Sequence, residues 1–142
     1  MKRFKFNLEK VLQLRKFREE ECKLALGQAI SVLNGIENEI KETAVKRHGA
    51  ALQRFADVGE TAPWEMYILR LDQQAQRLAE QAAQAELVVE EKRALYLEAS
   101  KDLKAIEKLK EKQQKEYRRE MLNLQMIEVD DITAARYMQH LS

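Results

Sequence analysis

Residues 64–127 read WEMYILRLDQQAQRLAEQAAQAELVVEEKRALYLEASKDLKAIEKLKEKQQKEYRREMLNLQMI, with no Gly or Pro anywhere in the stretch. Taken in alternating steps of four and three, its inner positions run from Trp64, Ile68, Leu71, Ala75 and Leu78 through Val89, Tyr96, Leu103 and Ile106 to Tyr117, Leu124 and Ile127. Fifteen of the nineteen positions so picked out are apolar or tyrosine. A period of 3.5 held over so many turns is the seam of a coiled coil, narrower than the stripe of a globular helix. As one helix rising 1.5 Å per residue, the stretch predicts a rod of roughly 95 Å. Its seam needs a second helix to lie against.

The segment before it supplies one. Asn7 is a good helix N-cap, with Phe6 and Val11 at the two positions of a hydrophobic staple. From Leu8 the same rhythm continues through Leu12, Arg15, Glu19, Cys22, Leu26, Ala29, Leu33, Ile36 and Ile40 to Thr43, Arg47 and Ala50. Val11, Leu14 and Phe17 widen the apolar face near the start. The reading is a first helix over about 8–56, with Gly49 a place for a bend, a turn over 57–62 holding Gly59, and a second helix over about 63–140 led by Pro63. A short link makes the two helices antiparallel neighbours. With the turn centred near residue 60, facing residues add to about 119–120, which places Arg47 near Asp72 and leaves the second helix uncovered beyond Tyr117. The predicted fold is all-α, a single long antiparallel two-helix coiled-coil hairpin with a C-terminal helical overhang.

Composition agrees. Ala, Glu, Lys, Leu and Arg make 79 of the 142 residues, and Gly and Pro together only five, the profile of a long-helix protein. Cys22 is alone, so no intramolecular disulfide forms, and its seam position suits a buried small apolar side chain. No apolar run of signal-peptide or membrane-spanning length occurs, so the expected location is cytoplasmic. Catalysis has no support. His48 and His140 are the only histidines, and neither stands with Cys or carboxylates at a metal-ligand spacing. No phosphate-binding, nucleophile-elbow or dinucleotide motif is present. The expectation is a non-enzyme with no cofactor and no small-molecule substrate.

Charge is nearly balanced overall but unevenly placed. Residues 1–23 carry eight basic and four acidic side chains, and residues 101–119 carry the same numbers. The hairpin register brings these two segments together as one basic end. Lys101, Lys104, Lys108, Lys112, Lys115 and Arg119 fall three or four apart, on one face opposite the seam, and Arg15 and Arg18 lie in the other basic segment. One account is a solvated face softened by Asp102, Glu107, Glu111 and Glu116; the other is a site for an acidic partner. Nucleic acid is disfavoured, because no stacking aromatics or reading motif accompany the lysines. After the stripe, Met121, Leu124, Ile127 and Ile132 belong to an apolar segment that the first helix is too short to cover, which points to partner docking against fraying, folding back or self-association. At the turn, Phe55, Trp64 and Tyr67 either close the seam or, with outward-facing Leu69, form a docking surface.

The ends of the chain resemble a known family. Phe4-Lys5-Phe6-Asn7-Leu8-Glu9-Lys10-Val11-Leu12-Gln13-Leu14-Arg15 is similar to the opening of the flagellar FliJ proteins. Glu107-Lys108-Leu109-Lys110-Glu111-Lys112, with Tyr117, Glu120 and Val129-Asp130-Asp131-Ile132, resembles that family's C-terminal region, where Asp-Glu is common at the place of Asp130-Asp131. The resemblance implies a stalk-like antiparallel coiled coil of the flagellar type III protein export apparatus, peripheral at the inner membrane. It implies binding to the export ATPase ring and to the cytoplasmic domain of the export gate protein, and a part in handling export chaperones. On that expectation the basic end enters the ring, and the Phe55–Leu69 tip or the mid-rod meets the gate. The alternatives from other classes are a spacer that homodimerises through the seam, and a basic-ended binder of nucleic acid or a membrane surface.

Overall fold

A computed structural model describes residues 3–56, 59 and 61–141 of the chain. The fold is all-α, two long helices packed against each other: α1 spans Glu9–Ala56 and α2 spans Ala62–Leu141. No described helix is long and apolar enough to cross a membrane.

Both helix starts sit within a residue of their sequence signals, for identifiable reasons. The Glu9 N–H donates to the Phe6 carbonyl (3.2 Å), and the first full α-turn is Leu12 N–H to the Leu8 carbonyl (2.9 Å). The cap position is therefore Leu8 rather than Asn7, which moves the staple positions one residue on, to Asn7 and Leu12, while Phe6 and Val11 still join one apolar cluster. In α2 the Thr61 carbonyl accepts from the Glu65 N–H at 3.0 Å, which makes Ala62 the first helical residue and Pro63 the second. Proline costs nothing there, because N–H groups of the first turn have no partner inside the helix. The turn read over 57–62 falls partly on Asp57, Val58 and Glu60, which lie outside the described residues.

Contacts group the chain into two compact units. The terminal unit joins Met1–Phe17 with Ser100–Ser142, and the central unit is Arg18–Ala99. In the central unit Arg47 Nε and Asp72 Oδ1 pair at 2.5 Å, and Arg54 pairs with Glu65 at 3.1 Å. In the terminal unit Lys110 pairs with Glu9 at 3.0 Å. In all three pairs the residue numbers add to 119, so within each unit α1 and α2 are antiparallel at the register read from the sequence.

Burial follows the seam. On α2 every seam position from Trp64 to Tyr117 is buried or half-buried, and Glu120, Leu124 and Ile127 are exposed. In the central unit the buried seam mixes large and small side chains: Ala29, Thr43 and Ala50 on α1, with Leu71, Leu78, Ala85, Val89 and Ala99 on α2. Leu71 and Leu78 are each 4% exposed, and small residues along the seam are what lets two helices approach closely enough to enclose such side chains. The buried Thr43 hydroxyl donates to the Glu39 carbonyl at 2.8 Å, so no polar group is stranded there. Cys22 is half-buried rather than fully enclosed. Leu14 and Phe17 do not widen the core face as expected. They are 68% and 62% exposed, because a two-stranded seam has no third layer to cover them.

α1 runs without interruption through Gly35 and Gly49. A Cβ built on either meets no atom within 4 Å. Replacing Gly by Ala in an unobstructed helix interior removes backbone entropy from the unfolded chain. Gly35→Ala and Gly49→Ala are each expected to stabilise the protein by about 0.5–1 kcal/mol, additively, as read by chemical denaturation. A loss of stability in either would show that the position needs glycine for a reason other than helix geometry.

Candidate partner-binding surfaces

The terminal unit is held by a small core. Phe6, Leu12 and Ile106 are buried together, with Phe4, Val11 and Leu103 packed around them. The Phe4 ring meets Tyr117 at 5.6 Å between centroids, tilted by 49°, at the last seam position that is covered. Arg15, half-buried on the seam, donates from Nη1 to the Asp102 carbonyl at 2.9 Å. One of the basic residues singled out above therefore spends a donor on holding α1 to α2. Arg18 is exposed and belongs to the central unit.

Glu9 sits in the first turn of α1, where its negative charge complements the helix terminus. Its carboxylate accepts from Lys110 Nζ at 3.0 Å and from Gln13 Nε2 at 3.1 Å. These bonds, Lys110 first, hold the carboxyl below its ordinary value of 4.5. A carboxyl whose folded pKa is depressed adds stability that is complete above its unfolded value and is lost as pH falls through the folded one. The terminal unit is therefore expected to lose stability on acidification below about pH 4.5. Glu9→Gln should flatten that part of the pH–stability curve, and an unchanged curve would show that the pair contributes nothing.

The lysine stripe lies in this same unit. Lys101, Lys104, Lys108, Lys112, Lys115 and Arg119 are all exposed, on the side of α2 away from the seam. Lys115 pairs with Glu111 at 3.4 Å, one helical turn away. Such an exposed pair is worth little and breaks readily when a partner offers a better anion. The interleaved carboxylates thus leave most of the stripe available.

Beyond Tyr117 no α1 residue covers α2. Met121 is half-buried, and Leu124, Ile127 and Ile132 are more than half exposed, as are Leu122, Met126, Val129, Tyr137, Met138 and Leu141. The seam does not stop at Ile127. Carried on at the same spacing it passes through Asp131, Ala134, Met138 and Leu141, so the bare segment holds two further heptads of a coiled-coil face with one acidic layer.

In the central unit the three aromatic residues near the turn do not form one cluster. Trp64 and Tyr67 meet edge to face at 6.4 Å and 74° along α2, with Trp64 half-buried on the seam. Phe55 is 83% exposed and Leu69 half exposed, each on the outer side of its own helix. The seam is closed by tryptophan, and Phe55 and Leu69 are left as separate apolar points.

One surface escaped the sequence reading. Ala25 and Val32 of α1 and Val88 of α2 line one flank of the central helix pair. Beside them Ala29 and Ala85 leave the seam shallow. Two clefts of about 320 and 540 Å³ lie along this flank and share Val32, Ala85 and Val88. The signal was present as apolar residues repeating at seven-residue spacing next to the seam.

Compared with known proteins, residues 4–142 match a family model described as the flagellar FliJ protein. No curated protein and no solved structure matches the chain.

Proposed function

The chain belongs to the flagellar FliJ protein family, and from that premise we propose that this component of the flagellar export apparatus acts without catalysing a reaction, as a stalk. The terminal unit docks in the export ATPase ring. The outer apolar points of the central unit, Phe55, Tyr67 and Leu69, meet the cytoplasmic domain of the export gate protein. Export chaperones are a third class of partner, brought to the apparatus through exposed helix faces. The protein works at the inner membrane by these contacts, not by a span of its own.

One observation carries the reading: the terminal unit combines an exposed lysine stripe with more than five turns of helix, from Leu122 to Leu141, whose large apolar side chains are all more than half exposed among the described residues. Long-range attraction to an acidic or polar lumen brings the unit in, and burial of Leu124, Ile127 and their neighbours then holds it. The filled seam argues against the spacer alternative. Two copies cannot zip together through residues that α1 and α2 already bury between them in each unit.

The test is to add the purified full chain to its cognate export ATPase and measure binding, the hexamer fraction and ATP turnover. Binding with a raised hexamer fraction or altered turnover is the expected result. If the chain neither binds nor changes either quantity, the stalk reading fails.

A further inference from the structure

The flank groove of the central unit contains a charge without a counter-ion. Lys92 occupies a seam position, half-buried, and lines the same cleft as Ala25, Val32 and Val88. Among the described residues it forms no ion pair. Val88 stands four residues before it and Leu95 three residues after, so its aliphatic stem has apolar neighbours along the helix. A helix that fits this groove offers an apolar stripe interrupted once by a carboxylate.

The chain itself carries such a helix. On the bare end of α2, Asp131 has Ile127 four residues before it and Ala134 three residues after, the same spacing that surrounds Lys92. Leu124 and Met138 extend the stripe in both directions. Asp131, like Lys92, forms no ion pair among the described residues. Residues 120–142 carry one basic and four acidic side chains, so the segment is acidic where the groove presents a lysine.

We propose that the C-terminal overhang of one copy docks in the flank groove of a second copy, with Asp131 paired to Lys92. Both residues are on α2, so the pairing is between molecules. A single polar layer within an apolar helix interface fixes register, since any slip buries two unpaired charges. The groove residues Val32 and Val88 and the overhang residues Ile127 and Met138 leave water together, which supplies the affinity. Functionally, the assembled form shields the overhang, and a ring that binds the overhang competes with self-association. The inference stands independently of the stalk reading, because it needs only a second copy of this chain.

Charge exchange tests it. Sedimentation equilibrium of the full wild-type chain should show concentration-dependent self-association. Lys92→Glu and Asp131→Lys should each weaken it by about thirtyfold or more, the usual result of leaving a buried interfacial charge unpaired. The double variant Lys92→Glu/Asp131→Lys should recover, and so should an equimolar mixture of the two single variants, because each groove again meets an opposite charge. Asp131→Lys alters an exposed position, so its effect cannot come from unfolding of the seam, and a thermal melt of Lys92→Glu identifies any such loss. A wild-type chain that stays monomeric at its highest soluble concentration overturns the proposal. So does self-association that single reversals leave unchanged, or that the double variant and the mixture fail to restore.

Discussion

Leu12→Ala is expected to destabilise the terminal unit by about 3 kcal/mol, within the usual cost of about 2–5 kcal/mol for a buried Leu→Ala cavity. Leu12 is 2% exposed and touches the one compact apolar cluster that holds this unit, formed with Phe6 and Ile106. α1 contributes only Glu9–Phe17 and the few residues before them to this unit, so little other burial is left to compensate. Leu124→Ala is the matched control. It removes the same atoms from a side chain that is 54% exposed, and its effect should stay within about 0.5 kcal/mol. Denaturation followed by circular dichroism measures both, and hydrogen exchange over residues 100–117 localises the first. If Leu12→Ala and Leu124→Ala cost the same, the cluster is not what holds the unit together.

The second large effect is on binding. Changing Lys104, Lys108, Lys112 and Lys115 together to Gln should lower affinity for the cognate export ATPase by about thirtyfold at physiological salt. That figure takes about 0.5 kcal/mol for each exposed cation facing an anionic surface, about 2 kcal/mol in all. Stability should change by no more than about 0.5 kcal/mol, since all four side chains are exposed and, among the described residues, only Lys115 has an intramolecular partner. The salt dependence of binding should flatten in parallel, because the contribution removed is the one that counter-ions screen. Unchanged affinity with unchanged salt dependence would mean that the stripe is a solvated face and that the apolar overhang alone binds. A loss of binding to nucleic acid or to anionic vesicles, with ATPase binding intact, would favour the alternative class of partner.

These two variants separate the two tasks of the terminal unit. Leu12 and Ile106 are spent on attaching α1 to α2, as are Arg15 through the Asp102 carbonyl and Lys110 through Glu9. The outer lysines and the residues after Tyr117 are not. Basic residues close together in sequence thus have different roles, according to whether the heptad turns them toward α1 or away from it.

Much of this was legible in the sequence because a coiled coil is a nearly one-dimensional object. A repeat of 3.5 residues states which positions face inward, and a single short link states that the helices run opposite ways. One register then places every residue beside its partner. The Arg47–Asp72 pair, the end of coverage at Tyr117 and the exposed lysine stripe all follow from that arithmetic, with 119 as the sum. Other features depend on volumes and on what is missing from a layer, which periodicity does not report. Leu14 and Phe17 look like core by composition, yet two helices leave no third surface to cover them. Phe55 shares the turn region with Trp64 and Tyr67 but points from the opposite helix. The flank groove exists because Ala29 and Ala85 fall beside Val32 and Val88 once the helices are paired, and that Lys92 forms no ion pair among the described residues is seen only when its neighbours in space are known. The sequence by itself determined helix type, direction and, to within about one helical turn, register, since those are set by spacing along one chain. The tertiary structure alone decided which apolar and charged groups remain without a partner, since that depends on how two helical surfaces fill the space between them.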